Sequence, residues 1–246
     1  MCAGQSVDSK LQELYNITKA AILSNNELDV ESIRQSLGAV TLEELGVKAP
    51  SQRQAGKKDR RRQSTAGFVG RLLGRSEAEA STSGRMTYQH IHEEKALSIG
   101  IFCLPRSAKI PLHNHPEMTV FSRVLYGKLH VRSLDWAEPE GNSCNGRRKA
   151  KLHADGVIQA GDPPTVLFPH HGGNLHAFRG ETDCAVLDLF LPPYDRQEGR
   201  DCTYYQEVGP LQPDGTTTLE VFDPPDDFII HTGTYKGQCI KAHARQ

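Results

Sequence analysis

The residues best spaced to do chemistry are His113 and His115, two apart in the segment PLHNHPEMTVFSRVLYG. On an extended strand, side chains at i and i+2 point to the same face, so two imidazoles converge and can chelate one metal ion. A third nitrogen can come from FPHHGGNLHAF, which holds His170, His171 and His176. We expect His176, because a flexible Gly172-Gly173 turn delivers it onto the start of a strand. His170 and His171 are adjacent, so only one of them can face inward, and both are expected on the turn. A rival pair, His90 and His92 in YQHIHEE, has the same spacing. It is followed by Glu93, Glu94 and Lys95 rather than by a second histidine-bearing turn at a comparable distance, and it reads as the end of a surface strand.

Histidines that share one ion need strands to hold them, and the chain supplies these from about residue 86. Leu97, Ile99, Ile101 and Cys103 alternate, and apolar runs follow at 118–126, 129–134, 165–168, 184–191 and 228–231. Turn residues separate them at 127–128, 156, 161–164 and 172–173. Many short strands with no long helix between them predict an all-β sandwich or barrel over 86–246. Upstream, residues 1–50 are expected to be helical. A first helix begins at a Ser9/Gln12 capping box with Leu11, Leu14, Thr18, Ala21 and Ile22 on one face. A second runs from Asp29 through Val30, Ile33 and Leu37 to Gly38, and a short third is capped by Thr41 and Glu44 and stopped at Gly46.

Between these regions, residues 51–85 lose periodicity and are rich in Arg, Lys, Ser, Gly and Ala, which predicts a disordered linker. Its run from Lys57 to Arg62 fits a nuclear import signal or simply a solvated linker. Residues 137–155 read as an exposed loop whose Arg147, Arg148, Lys149 and Lys151 can approach a peptide.

Composition bounds the remainder. With 246 residues, 37% of them hydrophobic, the chain holds one sizeable core plus an appendage. A formal charge of −1 gives no global basic field, so direct nucleic-acid binding is not expected. No apolar run approaches a membrane span, and MCAGQSVDSK lacks the apolar core of a signal peptide. We therefore expect a protein of the cytoplasm and nucleus, without membrane attachment and monomeric. The six cysteines include no CxxC pair and read as reduced thiols, with Cys103 and Cys184 buried in apolar runs.

The first motif resembles that of the cupin superfamily, in which HxH is followed by a Glu and then a Gly. Gly127 stands where that Gly belongs, but Val120 occupies the Glu position, and Glu117 comes too early to replace it. Loss of the carboxylate matches the three-histidine thiol dioxygenases among the cupins. Three neutral imidazoles leave Fe(II) its full 2+ charge and three open positions, which suits an anionic thiolate, an amine and O2 together. The resemblance narrows to the plant cysteine oxidases and the related cysteamine dioxygenases through SIGIFCLP, IPLHNHPEMTVFSRVLYGKLHVRSLDW, GGNLHAF, AVLDLFLPPY and GRDCTYY.

That resemblance implies a cupin double-stranded β-helix, or jelly-roll barrel, with a small N-terminal helical region. It implies Fe(2+) held by His113, His115 and His176, and active-site roles for Asp188 and Tyr194. An inward Asp188 carboxylate can hold a substrate amine or orient a ligand, and the Tyr194 hydroxyl can hydrogen-bond substrate. Cys202 matches a family cysteine near the site entrance. The reaction implied is oxidation by O2 of the N-terminal cysteine of target proteins, such as ethylene-response transcription factors, to cysteine sulfinic acid. This would form the oxygen-sensing entry to an N-degron pathway. Two alternatives are a dioxygenase of small thiols such as cysteamine or free cysteine, and a non-catalytic metal-binding cupin. Cys2 follows the initiator Met, so the processed chain can itself begin with the residue this family oxidises.

Overall fold

The computed structural model describes residues 9–24, 28–50, 85–138 and 146–242. The expectations for Cys2, Cys144 and residues 51–84 lie outside these.

Two helices open the described chain, α1 (Lys10–Leu23) and α2 (Val30–Ala39). Each starts where a side-chain oxygen satisfies an otherwise orphan amide: Ser9 accepts from Gln12 N–H, and Asp29 from Ser32 N–H. The third expected helix is instead a single turn. Thr41 and Glu44 do form the reciprocal cap, with Thr41 N–H to Glu44 at 2.9 Å and Glu44 N–H to Thr41 Oγ1 at 3.2 Å. Gly46 then turns the chain at φ +61° after one turn, before any further helical bond can form.

Twelve strands follow: β1 (Thr87–Glu94), β2 (Leu97–Leu104), β3 (Lys109–His113), β4 (Thr119–Tyr126), β5 (Lys128–Trp136), β6 (Arg147–Gln159), β7 (Thr165–Leu167), β8 (Leu175–Gly180), β9 (Cys184–Leu191), β10 (Tyr205–Val208), β11 (Thr216–Val221) and β12 (His231–Gly233). They form two six-stranded sheets, ordered β12-β1-β2-β9-β4-β7 and β10-β11-β6-β5-β8-β3. This is the expected double-stranded β-helix with helices at its N-terminal end. The expected loop over 137–155 is corrected in its second half. Residues from Arg147 onward belong to β6, paired with β5 over Ala150–Gln159 and with β11 at Arg147–Lys151. Its charged side chains misled the pattern because both faces of this strand are largely exposed.

Strand β9 shows how the layers divide. All eight of its residues are buried. On one face Ala185, Leu187, Leu189 and Leu191 join Leu11, Leu14, Ile33 and Leu37 in a core shared with the helices. On the other face Cys184 and Val186 pack with Leu129 of β5 and Phe178 of β8, inside the barrel. Alternation therefore places Asp188, two residues beyond Val186, on the interior face.

The helices are locked onto the barrel by polar bonds as well. The Arg123 guanidinium, on β4, donates to the carbonyls of Leu37 (3.0 Å) and Val40 at the end of α2. These carbonyls lie at the negative end of the helix dipole, where Leu37 O otherwise takes only a long bond of 3.4 Å from the capping Val40 N–H. Arg123→Ala should therefore lower stability by about 1–3 kcal/mol, the usual cost of stranding acceptors of a charged donor. A urea titration followed by fluorescence checks this, and an unchanged midpoint would deny the bonds any net value.

At the other end of the chain, Gln12 exchanges two hydrogen bonds with the Lys241 backbone (2.8 and 3.1 Å), and Gln238 N–H donates to Glu44 O at 2.7 Å. Cys103, Cys184 and Cys202 are free thiols, whereas Cys239 is disulfide-bonded. The all-reduced expectation is corrected there, because the lack of a CxxC pair does not exclude a bond between cysteines remote in sequence.

Candidate metal centre

The two histidine segments meet across the pair formed by β3 and β8, where His113 lies opposite His176. His113 is the last residue of β3, while His115 lies beyond the strand. Strand alternation thus reaches only as far as His113, and other contacts must aim His115. His176 is the second residue of β8, just after the two glycines. The turn there is dictated by geometry more than by flexibility. Gly172 and Gly173 adopt φ +85° and +84°, and a Cβ on Gly173 would come within 2.7 Å of Ser133.

Nitrogen atoms of His113, His115 and His176 lie within 4.8 Å of one another, the one such cluster of three metal-binding side chains among the described residues. All three residues are buried. Burial penalises the imidazolium, and it pulls His113 down to about 4, His115 to about 3, and His176 well below the ordinary histidine value. The rings are therefore neutral near pH 7 and present lone pairs. His113 Nδ1 bonds Pro111 O at 2.8 Å, and His115 Nδ1 bonds Asn174 O at 2.9 Å. Both contacts require Nδ1–H, which leaves Nε2 of each ring free to ligate. Three buried neutral imidazoles with oriented tautomers fit a divalent metal of the borderline class.

The other candidates fall elsewhere. His171 stacks on Phe168 in the turn, with ring centroids 4.5 Å apart. His90 and His92 belong to β1, but a register shift between them breaks the alternation. His90 is largely exposed, while His92 turns edge-on to Tyr15 of α1. Val120 is buried and lines a cavity of about 40 Å³ with Ser122, Ser133, Phe178, Val186 and His176, so the position of the missing carboxylate is inward and apolar.

Asp188 is buried inside the barrel, where Ser122 hydrogen-bonds its carboxyl and Oδ1 has no hydrogen-bond partner. Burial pushes its pKa up to about 7. Tyr194 sends its hydroxyl to the carbonyl of Asn114, the residue between the first two histidines, at 2.8 Å. Its phenol also contacts Cys202, which bonds Tyr204 as well. Asn114 is fixed a second time, through Thr203 N–H to its Oδ1 (2.9 Å). The side chains of Asn114, Asn174 and Asp135 were not singled out by sequence reasoning, although Asn174 sits inside GGNLHAF and Asp135 at the end of RSLDW.

The model of the PCO_ADO family matches residues 37–240. Plant cysteine oxidase 1 of Arabidopsis thaliana is 48% identical over 132 residues, 54% of this chain and 45% of its own length. Plant cysteine oxidase 2 of the same plant is 40% identical over 169 residues, 63% of this chain and 61% of its own. The 2-aminoethanethiol dioxygenase of Homo sapiens is 30% identical over 171 residues, 60% of this chain and 62% of its own. The match thus spans about half to three fifths of each of these relatives.

Proposed function

The chain belongs to the PCO_ADO family of thiol dioxygenases, and from that premise we propose that it oxidises the N-terminal cysteine of target proteins to cysteine sulfinic acid, using Fe(II) and O2. The observation that carries this reading is the buried cluster of three neutral histidines with no carboxylate among them. His113, His115 and His176 would hold the iron. When bound, Fe(II) supplies the redox centre at which a thiolate and O2 are brought together. The balance is simple: the thiol sulfur gains both atoms of O2, the product is a sulfinic acid, and no external reductant is consumed.

The protein's own groups bind and orient. Asp188 presents an unpartnered buried carboxyl oxygen, suited to a substrate α-ammonium. A bound cation would favour its ionised form and offset its burial. Tyr194 holds the backbone between His113 and His115 through the Asn114 carbonyl. Val120, Phe178 and Val186 give the cavity beside His176 an apolar part of its wall. We place this activity in the cytoplasm and nucleus of a plant-type oxygen response, acting as a monomer on transcription factors of the ethylene-response class. The support is the similarity to the two plant cysteine oxidases.

The test is mass spectrometry of a peptide beginning Cys-Gly, incubated with the Fe(II)-loaded protein under (18)O2 and separately in H2(18)O. Gain of two oxygen atoms, both from O2, is expected. Oxidation of cysteamine but not of the peptide would move the function to small thiols, as the name of the human relative suggests. Inertness toward both would leave a metal-binding cupin.

A further inference from the structure

The imidazole of His115 lies beyond the end of β3, and it is held by Asn174, in the turn just before β8. Asn174 uses every polar group it has. Its Oδ1 accepts His115 N–H at 3.1 Å, and its Nδ2 donates to His115 O at 2.8 Å and to Phe168 O at 2.8 Å. Its main-chain carbonyl accepts the His115 Nδ1–H at 2.9 Å. Its own N–H donates to Asp135 Oδ1 at 2.9 Å, and the same oxygen takes the Gly173 N–H, also at 2.9 Å. The second Asp135 oxygen faces His153 Nδ1 at 3.5 Å.

We propose that Asn174 and Asp135 form a positioning latch for the metal centre, Asn174 setting the tautomer and direction of the His115 ring and Asp135 holding Asn174 in place. Asn174 lies two residues before His176, so one side chain couples the ligand it precedes to a ligand 59 positions earlier in the chain. Asn174 is 3% exposed, so its amide has no water to fall back on, and each bond it loses strands a buried partner. The carboxylate at Asp135 completes the chain by gathering two adjacent amides from a turn that only glycine can make. The latch rests on reading the three histidines as a metal centre, and the experiment separates the two.

Co(II) serves as the probe, titrated into the metal-free full chain while its visible absorption is followed, with a melting curve recorded for each metal-free protein. Asn174→Ala keeps the carbonyl behind the ring but removes the side-chain bonds that hold the His115 main chain against it, so it should weaken Co(II) binding by about 10–100-fold and shift the absorption bands. Asp135→Ala should weaken it by about 10-fold, and Asp135→Asn, which keeps an acceptor oxygen, should recover most of that loss. A role confined to folding would lower the melting temperature yet leave affinity and spectrum as in the parent, and that result in any folded variant overturns the latch. The Asp135 pair decides if Asn174→Ala does not fold. Failure of the parent itself to take up Co(II) would instead defeat the metal centre, and the latch with it.

Discussion

His176→Ala should bind Fe(II) and Co(II) too weakly to load and lose more than about 100-fold of its activity, while His171→Ala keeps both. Removing a partner one shell away from a metal typically costs 10–100-fold, so removing a ligand itself must exceed that. His176 comes from the opposite strand to His113 and closes the cluster. His171 is five residues away in sequence but stacks on Phe168, outside the cluster. Far-ultraviolet circular dichroism of His176→Ala should match the parent, because the β8 ladder is made by backbone groups. Metal analysis after dialysis, read beside turnover of the cysteine peptide, checks the prediction. Full loading of His176→Ala would mean that the third ligand lies elsewhere.

Asp188→Asn should raise stability at neutral pH while lowering activity. The carboxyl sits near 3.8 in the unfolded chain and is pushed up to about 7 in the fold. A group whose folded value is raised stabilises the protein only below the unfolded value, and that contribution is lost as pH rises through the folded value. Stability of the parent should therefore fall across roughly pH 4 to 7 by on the order of 4 kcal/mol from this one residue, at about 1.36 kcal/mol per unit. Asparagine is nearly isosteric and never ionises, so Asp188→Asn should be flat over the window in which the parent declines from this cause and should melt above it at pH 8. Its turnover of an N-terminal cysteine peptide should nonetheless drop, because an uncharged amide cannot pair with an ammonium group. Melting curves from pH 4 to 8 decide the first half, and a parallel fall of parent and variant would show Asp188 to be ionised throughout.

The parts legible in sequence are those governed by repeating local patterns. Alternation along 97–103 and the apolar run at 184–191 marked β2 and β9, and the caps at Ser9 and Asp29 marked the starts of α1 and α2. The histidines were legible because their chemistry is unusual at that spacing, although the regular strand invoked to align them stops at His113. What escaped were features with no local signature. Asp135 and Asn174 meet only because β5 and β8 pair, and each alone looks like an ordinary turn polar residue. Strand β6 escaped because its charges, exposed on both faces, hide the period of two. Gly100, which lies within the alternating run 97–103, has no local signature of its role either. Its missing Cβ makes room for the Tyr88 ring, whose hydroxyl would otherwise lie 2.2 Å from it.

Few of the barrel's strand pairs are local. Strand β9 lies between β2 and β4, β3 waits for β8, and β1 runs parallel to β12, joining Thr87 to His231. Such pairings demand that distant stretches find each other before most of the burial is realised, and the loop-closure entropy must be overcome first. The barrel thus belongs with the slow folders, in milliseconds to seconds or beyond, where local helices form far sooner. Helices α1 and α2 can coil early, yet the apolar face they need is built around β9, which cannot exist until its partners arrive. During that interval the edges of β2 and β4 stand unpaired, and it is in the nascent chain that this protein is most exposed to aggregation.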